Sequence, residues 1–107
     1  MSPDRELLHA RLNAETGRLG WAELQRHFAR GVVIKVAAGM DLVEVALAIA
    51  EDDRQAVATW MESGRIARAD TDDAIAWNDR AAHFWAVVAA PWVLVQEIIG
   101  EHQGGTA

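Results

Sequence analysis

The segment FWAVVAAPWVLV, residues 84–95, constrains the fold more than any other part of the chain. It is the longest apolar run, and Pro91 interrupts it. A membrane-spanning helix needs about 20 consecutive apolar residues, so the run is too short and too broken to cross a bilayer. Its valines and aromatics favour strand, as a strand pair or as one long strand bent at Pro91. Proline has no N–H to give to a ladder, so residue 91 belongs at an edge or a bulge. A helix starting at Pro91 and running through PWVLVQEII is the competing reading, and residues 91–99 stay open between the two.

A terminal strand this apolar needs cover on both faces. A chain of 107 residues holds one domain, which we place over residues 1–100, with residues 101–107 as a disordered tail. So small a domain does not easily cover both faces of that strand. This points to pairing with a second copy or a partner protein, with Phe84, Trp85, Val87, Trp92 and Leu94 as the candidate interface. The simpler alternative is burial of the tryptophans within the monomer. Trp21, Trp60 and Trp77 fall on apolar helical faces and read as core.

The remaining elements follow from caps and periodicity. Ser2-Pro3 reads as an N-cap and first helical position; Leu8 and Leu12 share a face, Gly17 fits the stop, and GRLG reads as a link. WAELQRHFARG forms a second helix closed by Gly31. VVIKV (32–36) is β-branched and reads as a strand. Asp41 opens DLVEVALAIA, with Leu42, Val45, Ala46 and Ile49 as a buried stripe. A helix over 53–63 ends at Gly64, RIARA (65–69) reads as a short strand, and Asp70 or Thr71 caps a helix over TDDAIAWNDRAAH. In that last helix Ile75, Trp77, Ala81 and Ala82 are the expected inward positions.

Between the two central helices lie three consecutive acids, Glu51, Asp52 and Asp53. Successive helical side chains diverge by about 100°, so three in a row converge poorly on one ion. No Asp-x-Asp loop with a supporting glycine is present. Asp52 and Gln55 instead have the spacing of an N-cap and its N3 partner, and Asp53 suits the positive end of a helix dipole. We read them as caps; a carboxylate-based metal protein or enzyme around Asp41 to Asp53 is the least favoured alternative.

From residue 21 onward the elements read helix, strand, helix, helix, strand, helix, strand. The fold class is therefore α+β: a helical N-terminal part and a small antiparallel sheet, winged-helix-like, with a helix inserted at the wing. Such a fold suggests DNA binding through Arg54, Gln55 and Thr59 on the 53–63 helix, supported by Arg26 and Arg30. The charge argues the other way. The formal net charge is −6, and residues 1–35 carry six basic groups against four acids while the remainder carries four against twelve. Asp52 and Asp53 would meet phosphate at the helix start, and a net negative chain opposes non-specific nucleic-acid or anionic-membrane binding.

Motifs for catalysis are sparse. There is no cysteine or tyrosine, which removes thiolate chemistry and fits a reducing cytosol. Ser2 and Ser63 are poorly placed for a nucleophile, and His9, His27, His83 and His102 lack the i,i+4 pairing of a helical zinc site. A constellation of His27, His83 and Glu51 would have to be assembled by the fold. MSPDRELLHARL lacks the basic start and apolar run of a signal peptide. No cofactor is implied.

Three segments, LNAETGRLGWAELQRHFARG, DLVEVALAIAEDD and FWAVVAAPWVLVQ, together resemble the small bacterial domain-of-unknown-function family numbered 2288. The resemblance covers residues 7 to 97, and its ETxxxxWxELQxxFAxG and PWVLVQ segments are unusual combinations. It implies no catalytic residue, cofactor or partner, because that family is uncharacterised. The expectation is a cytoplasmic protein-interaction module without enzyme activity, self-associating through the 84–95 segment. DNA binding is the alternative, and no membrane partner is expected.

Overall fold

The computed structural model describes residues 3–99. The helices are α1 (Pro3–Glu15), α2 (Trp21–Ala29), α3 (Leu42–Ala50), α4 (Arg54–Glu62) and α5 (Thr71–Asp79). The strands are β1 (Gly17–Gly20), β2 (Val33–Val36), β3 (Ile66–Arg68), β4 (His83–Ala89) and β5 (Trp92–Glu97). The five strands form one sheet in the order β1-β4-β5-β2-β3. The expected N-cap Ser2 and the tail 101–107 lie outside the described residues.

The α+β class stands, and so does the order of elements from α2 to α5. The pairing adds what periodicity does not carry. Three of the pairings are antiparallel, while β2 and β5 run parallel, with Val33 opposite Val93 and Lys35 opposite Val95. The wing is replaced by another arrangement: β3 and β4 are not neighbours but are separated by β2 and β5. Helix α5 therefore crosses a face of the sheet instead of capping a hairpin. The 84–95 segment is a true hairpin, with Ala90 and Pro91 in its turn and Ala89 opposite Trp92. That settles residues 92–97 as strand, and Pro91 needs no ladder partner because it lies outside both strands. GRLG is not a link but the edge strand β1, paired with β4; its backbone makes the ladder, and its glycines left no apolar alternation to read.

The sheet is covered on both faces. One core holds Leu12, Ile34, Leu42, Val45, Leu47, Val87 and Leu94, under α1 and α3, with Val57 and Trp60 of α4 packed at its border. The other holds Trp21, Leu24, Trp77, Phe84, Val93 and Val95, under α2 and α5. This overturns the expectation that one face of the terminal strand lies open. β5 sits inside the sheet between β4 and β2, with Val93, Leu94 and Val95 all buried. A strand covered on both faces reads as a continuous apolar run, which is why WVLV shows no alternation.

Caps place the helices. Asp41 accepts from the N–H groups of Val43 and Glu44 at the start of α3. Asp70 and Asp73 exchange side-chain and backbone hydrogen bonds at the start of α5, each 2.9 Å. At α4 the cap is Asp53, which accepts from Ala56 N–H at 3.2 Å; Asp52, the expected cap, instead takes a left-handed backbone (φ 56°) in the turn. The turn between α3 and α4 is so short that the chain must reverse at residue 52, leaving 53 to begin the helix. Trp77 of α5 is buried as expected and so is Ala82, but Ile75 is exposed, and Ala81 and Ala82 lie beyond the helix, Ala81 at φ 48°. The helix stops at Asp79, a turn before the sequence pattern runs out.

Candidate interaction site

An apolar groove of about 390 Å³ lies between α4 and the sheet edge at β3. Helix α4 is amphipathic but peripheral: none of its residues is fully buried. Val57 and Met61 line the groove from α4, Ile34 and Ile66 from the sheet, and Trp92 from the start of β5. Met61 is 51% exposed. A Ser63-Gly64 turn ties α4 directly to β3, with Gly64 at φ 75°, a conformation that favours glycine. Helix and strand therefore lie side by side with the groove between them.

The groove's polar groups sit at its rim. Asp52 is paired with Arg54 at 3.3 Å, both well exposed, and Asp53 is occupied as the α4 cap. Arg68 lies over the Trp92 ring, 5.5 Å from its centroid, and donates to the Gly31 carbonyl at 2.6 Å. A cation over an indole face is favourable, so the ring holds the guanidinium against the sheet edge. The Arg68 contacts shown are a carbonyl and a ring, not a carboxylate.

A second crevice of about 300 Å³ lies on the α5 side, across the ends of β2 and β5. Four of its charged side chains pair with one another, while Arg65 in the same lining has no carboxylate partner among the described residues. Lys35 meets Asp73 at 2.8 Å, and Arg80 binds Glu97 through two 2.7 Å hydrogen bonds. Burial pushes the Asp73 carboxyl up, but hydrogen bonds from Lys35 and the Asp70 backbone outweigh it and hold the group below its ordinary value. The hydrogen bond to Glu97 raises Arg80.

The expected interface residues separate into two groups. Phe84, Val87 and Leu94 are fully enclosed in the two cores and reach no surface. Trp92 is half-buried and opens into the groove. Trp85 is 40% exposed, with Arg18 5.6 Å over its ring beside the edge strand β1. The sequence treated 84–95 as one surface, whereas a hairpin sends alternate residues to opposite faces.

The candidate nucleic-acid contacts also divide. Arg54, Gln55 and Thr59 lie exposed on α4, where the Thr59 hydroxyl donates to the Gln55 carbonyl. Arg26 on α2 and Arg30 at its C-terminal cap lie across the sheet. There Arg30 meets His27 Nδ1 at 2.6 Å, and burial, with help from Arg30 and Arg26, holds the imidazole below its ordinary value. The His27, His83 and Glu51 constellation is not assembled: Glu51 binds Arg5 at 3.0 Å, on the α1 and α3 side, while His83 sits beside Gly20. Among the described residues, no group of three or more His, Asp or Glu side chains is placed to hold a metal ion. No described helix is long and apolar enough to cross a membrane.

Sequence reasoning found Trp92 and the apolar face of α4, but missed Ile66 and Arg68 as parts of the same site. The alternation in RIARA was visible. Which strand edge it occupies was not.

The curated proteins contain no match to this chain. Among solved structures it is similar to PA1075 from Pseudomonas aeruginosa, determined in solution by NMR, at 46% identity over 91% of this chain and 90% of that one, with a TM-score of 0.76. The model of a family described as a protein of unknown function, DUF2288, matches residues 7–97. That span takes in both cores, the groove and the sheet from edge to edge, and the chain belongs to the DUF2288 family.

Proposed function

We propose that this chain is a cytoplasmic protein-interaction module whose partner seats in the groove between α4 and β3. The observation that carries this reading is an apolar groove with Met61 half-exposed and Trp92 in its lining, bordered by a helix that buries no residue fully. Apolar concavities with an aromatic anchor and a polar rim are the usual ground for recognition. A tagged pull-down from the native lysate, with and without nuclease, tests it against Met61→Glu. A stoichiometric protein recovered by the wild type, surviving nuclease and lost with the folded variant supports the reading. Recovery that is equal for both proteins, or that vanishes with nuclease, counts against it; the latter favours nucleic-acid binding through Arg54, Gln55 and Thr59.

Self-association is a second reading, narrowed from the whole 84–95 segment to the residues of β4 that reach the surface. Trp85, 40% exposed and opposite Arg18 of the edge strand β1, and Val88, 56% exposed and beyond the end of β1, project from opposite faces of β4. Solution mass by sedimentation tests it with Val88→Lys and Trp85→Lys. A wild-type dimer dissociated by either change supports it, and a wild-type monomer rules it out.

A further inference from the structure

The groove is bordered by a strand edge with hydrogen bonds to give. In the ladder with β2, Ala37 N–H donates to the Arg65 carbonyl (2.8 Å) and Ala69 N–H to the Val33 carbonyl (3.0 Å). Residues 65, 67 and 69 therefore turn their backbone toward β2. By the alternation of an antiparallel ladder, the N–H and C=O groups of Ile66 and Arg68 point away from it. β3 is the last strand on that side of the sheet, so those groups face outward beside the groove.

The charged side chains of this strand edge itself are both basic. Arg65 and Arg68 flank the strand, and neither meets a carboxylate within ion-pair distance among the described residues. Of the acids that line the two concavities, Asp52 pairs with Arg54, Asp73 with Lys35 and Glu97 with Arg80, while Asp53 keeps its charge as the cap at the α4 N-terminus. Arg68 lines the apolar groove and Arg65 the crevice on the other face. Two unmatched cations on opposite faces of one free edge, in a chain of net charge −6, complement an acidic strand and repel a basic one.

We propose that the open edge of β3 accepts an extended acidic segment of a partner protein as an additional strand. Its apolar side chains point into the groove, and its carboxylates meet Arg65 and Arg68. The inference rests on the groove reading above and specifies the partner's conformation and charge. In strand addition the main-chain hydrogen bonds give affinity, and pockets for alternate side chains give specificity. Here the outward groups of Ile66 and Arg68 supply the first, and the lining by Val57, Met61 and Trp92 supplies the second. A helical occupant fits the groove too, but leaves the outward backbone groups and Arg65 without a role.

The experiment is selection of a random-peptide library on the wild-type protein, with depletion on the folded Arg65→Glu/Arg68→Glu double variant. Amide exchange of the wild type is then followed with the enriched peptide bound. The expected result is peptides alternating apolar with acidic residues, at least tenfold weaker on the double variant, with exchange slowed at Ile66 and Arg68. Enriched peptides with apolar residues three and four apart, and no slowing at those two amides, overturn the strand while leaving the groove as a helix site. Enrichment of basic peptides, or binding unaffected by the double variant, overturns the charge assignment. No enrichment on the wild type overturns the proposal, and the Met61→Glu pull-down then decides separately whether the groove binds any partner.

Discussion

The two faces of the sheet are built on different principles. Under α2 and α5 the core is aromatic and locked. Trp77 packs edge-on against Phe84 with ring centroids 4.9 Å apart, Trp21 lies 5.9 Å from Trp77, and the Trp21 indole N–H reaches the Asn78 side chain at 3.2 Å. Two ion pairs, Lys35–Asp73 and Arg80–Glu97, close its margin. Under α1, α3 and α4 the core is aliphatic and graded. Helix α3 buries most of its residues, while α4, joined to it by a tight turn, buries none fully and leaves a groove. The locked face fixes the sheet, which frees the graded face to present a surface.

That contrast sets the order of expected effects. Phe84→Ala removes a fully buried ring shared by the aromatic cluster and should cost about 3–5 kcal/mol, as large-to-small core changes do. Met61→Ala, at the exposed groove, should stay within about 0.5 kcal/mol. Urea unfolding of both variants breaks the comparison if their losses are similar.

Asp73→Ala removes the carboxylate that serves both the α5 cap and Lys35. A loss of about 1 kcal/mol at neutral pH is expected from capping and a part-buried pair. Because the folded state holds this carboxyl below its ordinary value of 3.8, the folded protein binds its proton less readily than the unfolded chain. The contribution is therefore complete above that value and disappears as pH falls through the lower folded value. Unfolding curves of wild type and variant should converge on acidification below pH ~4; a gap that persists there assigns the loss to packing instead.

A finer test compares the two adjacent helices. Amide exchange should be faster along α4 than along α3, because local opening follows the apolar contact an element makes. Equal protection in both helices would mean that α4 opens only with the whole domain. The smallest effect is expected at Val88→Lys, within about 0.5 kcal/mol of wild-type stability, so that any change in solution mass reports association and not unfolding.

Much of the chain's local structure was legible because its signals are local. Asp41 and Asp70 announce helix starts through their own side chains, and Gly31 and Gly64 end α2 and α4 at positive φ. Where a signal was shared between neighbours the reading slipped by a residue, as from Asp52 to Asp53. β1 gave no signal at all, since GRLG pairs through its backbone and lacks a strand's apolar alternation. The candidate surface at 84–95 failed for a different reason. Apolar character was read correctly, but whether Phe84 or Trp85 meets solvent depends on which helices lie over each face.

By itself, the sequence determined the α+β class, the order of elements from α2 to α5, the apolar helix faces and the family resemblance. Those follow from short-range capping, backbone preference and periodicity, each contained within a few neighbouring residues. Only the tertiary structure decided that β5 runs parallel beside β2, that helices cover both faces, and that β3 is an open edge next to α4. Strand order is settled by hydrogen bonds between residues far apart in the chain, and burial by the layers that pack over them. The groove, made by α4, β3 and Trp92 together, exists only once both have been fixed.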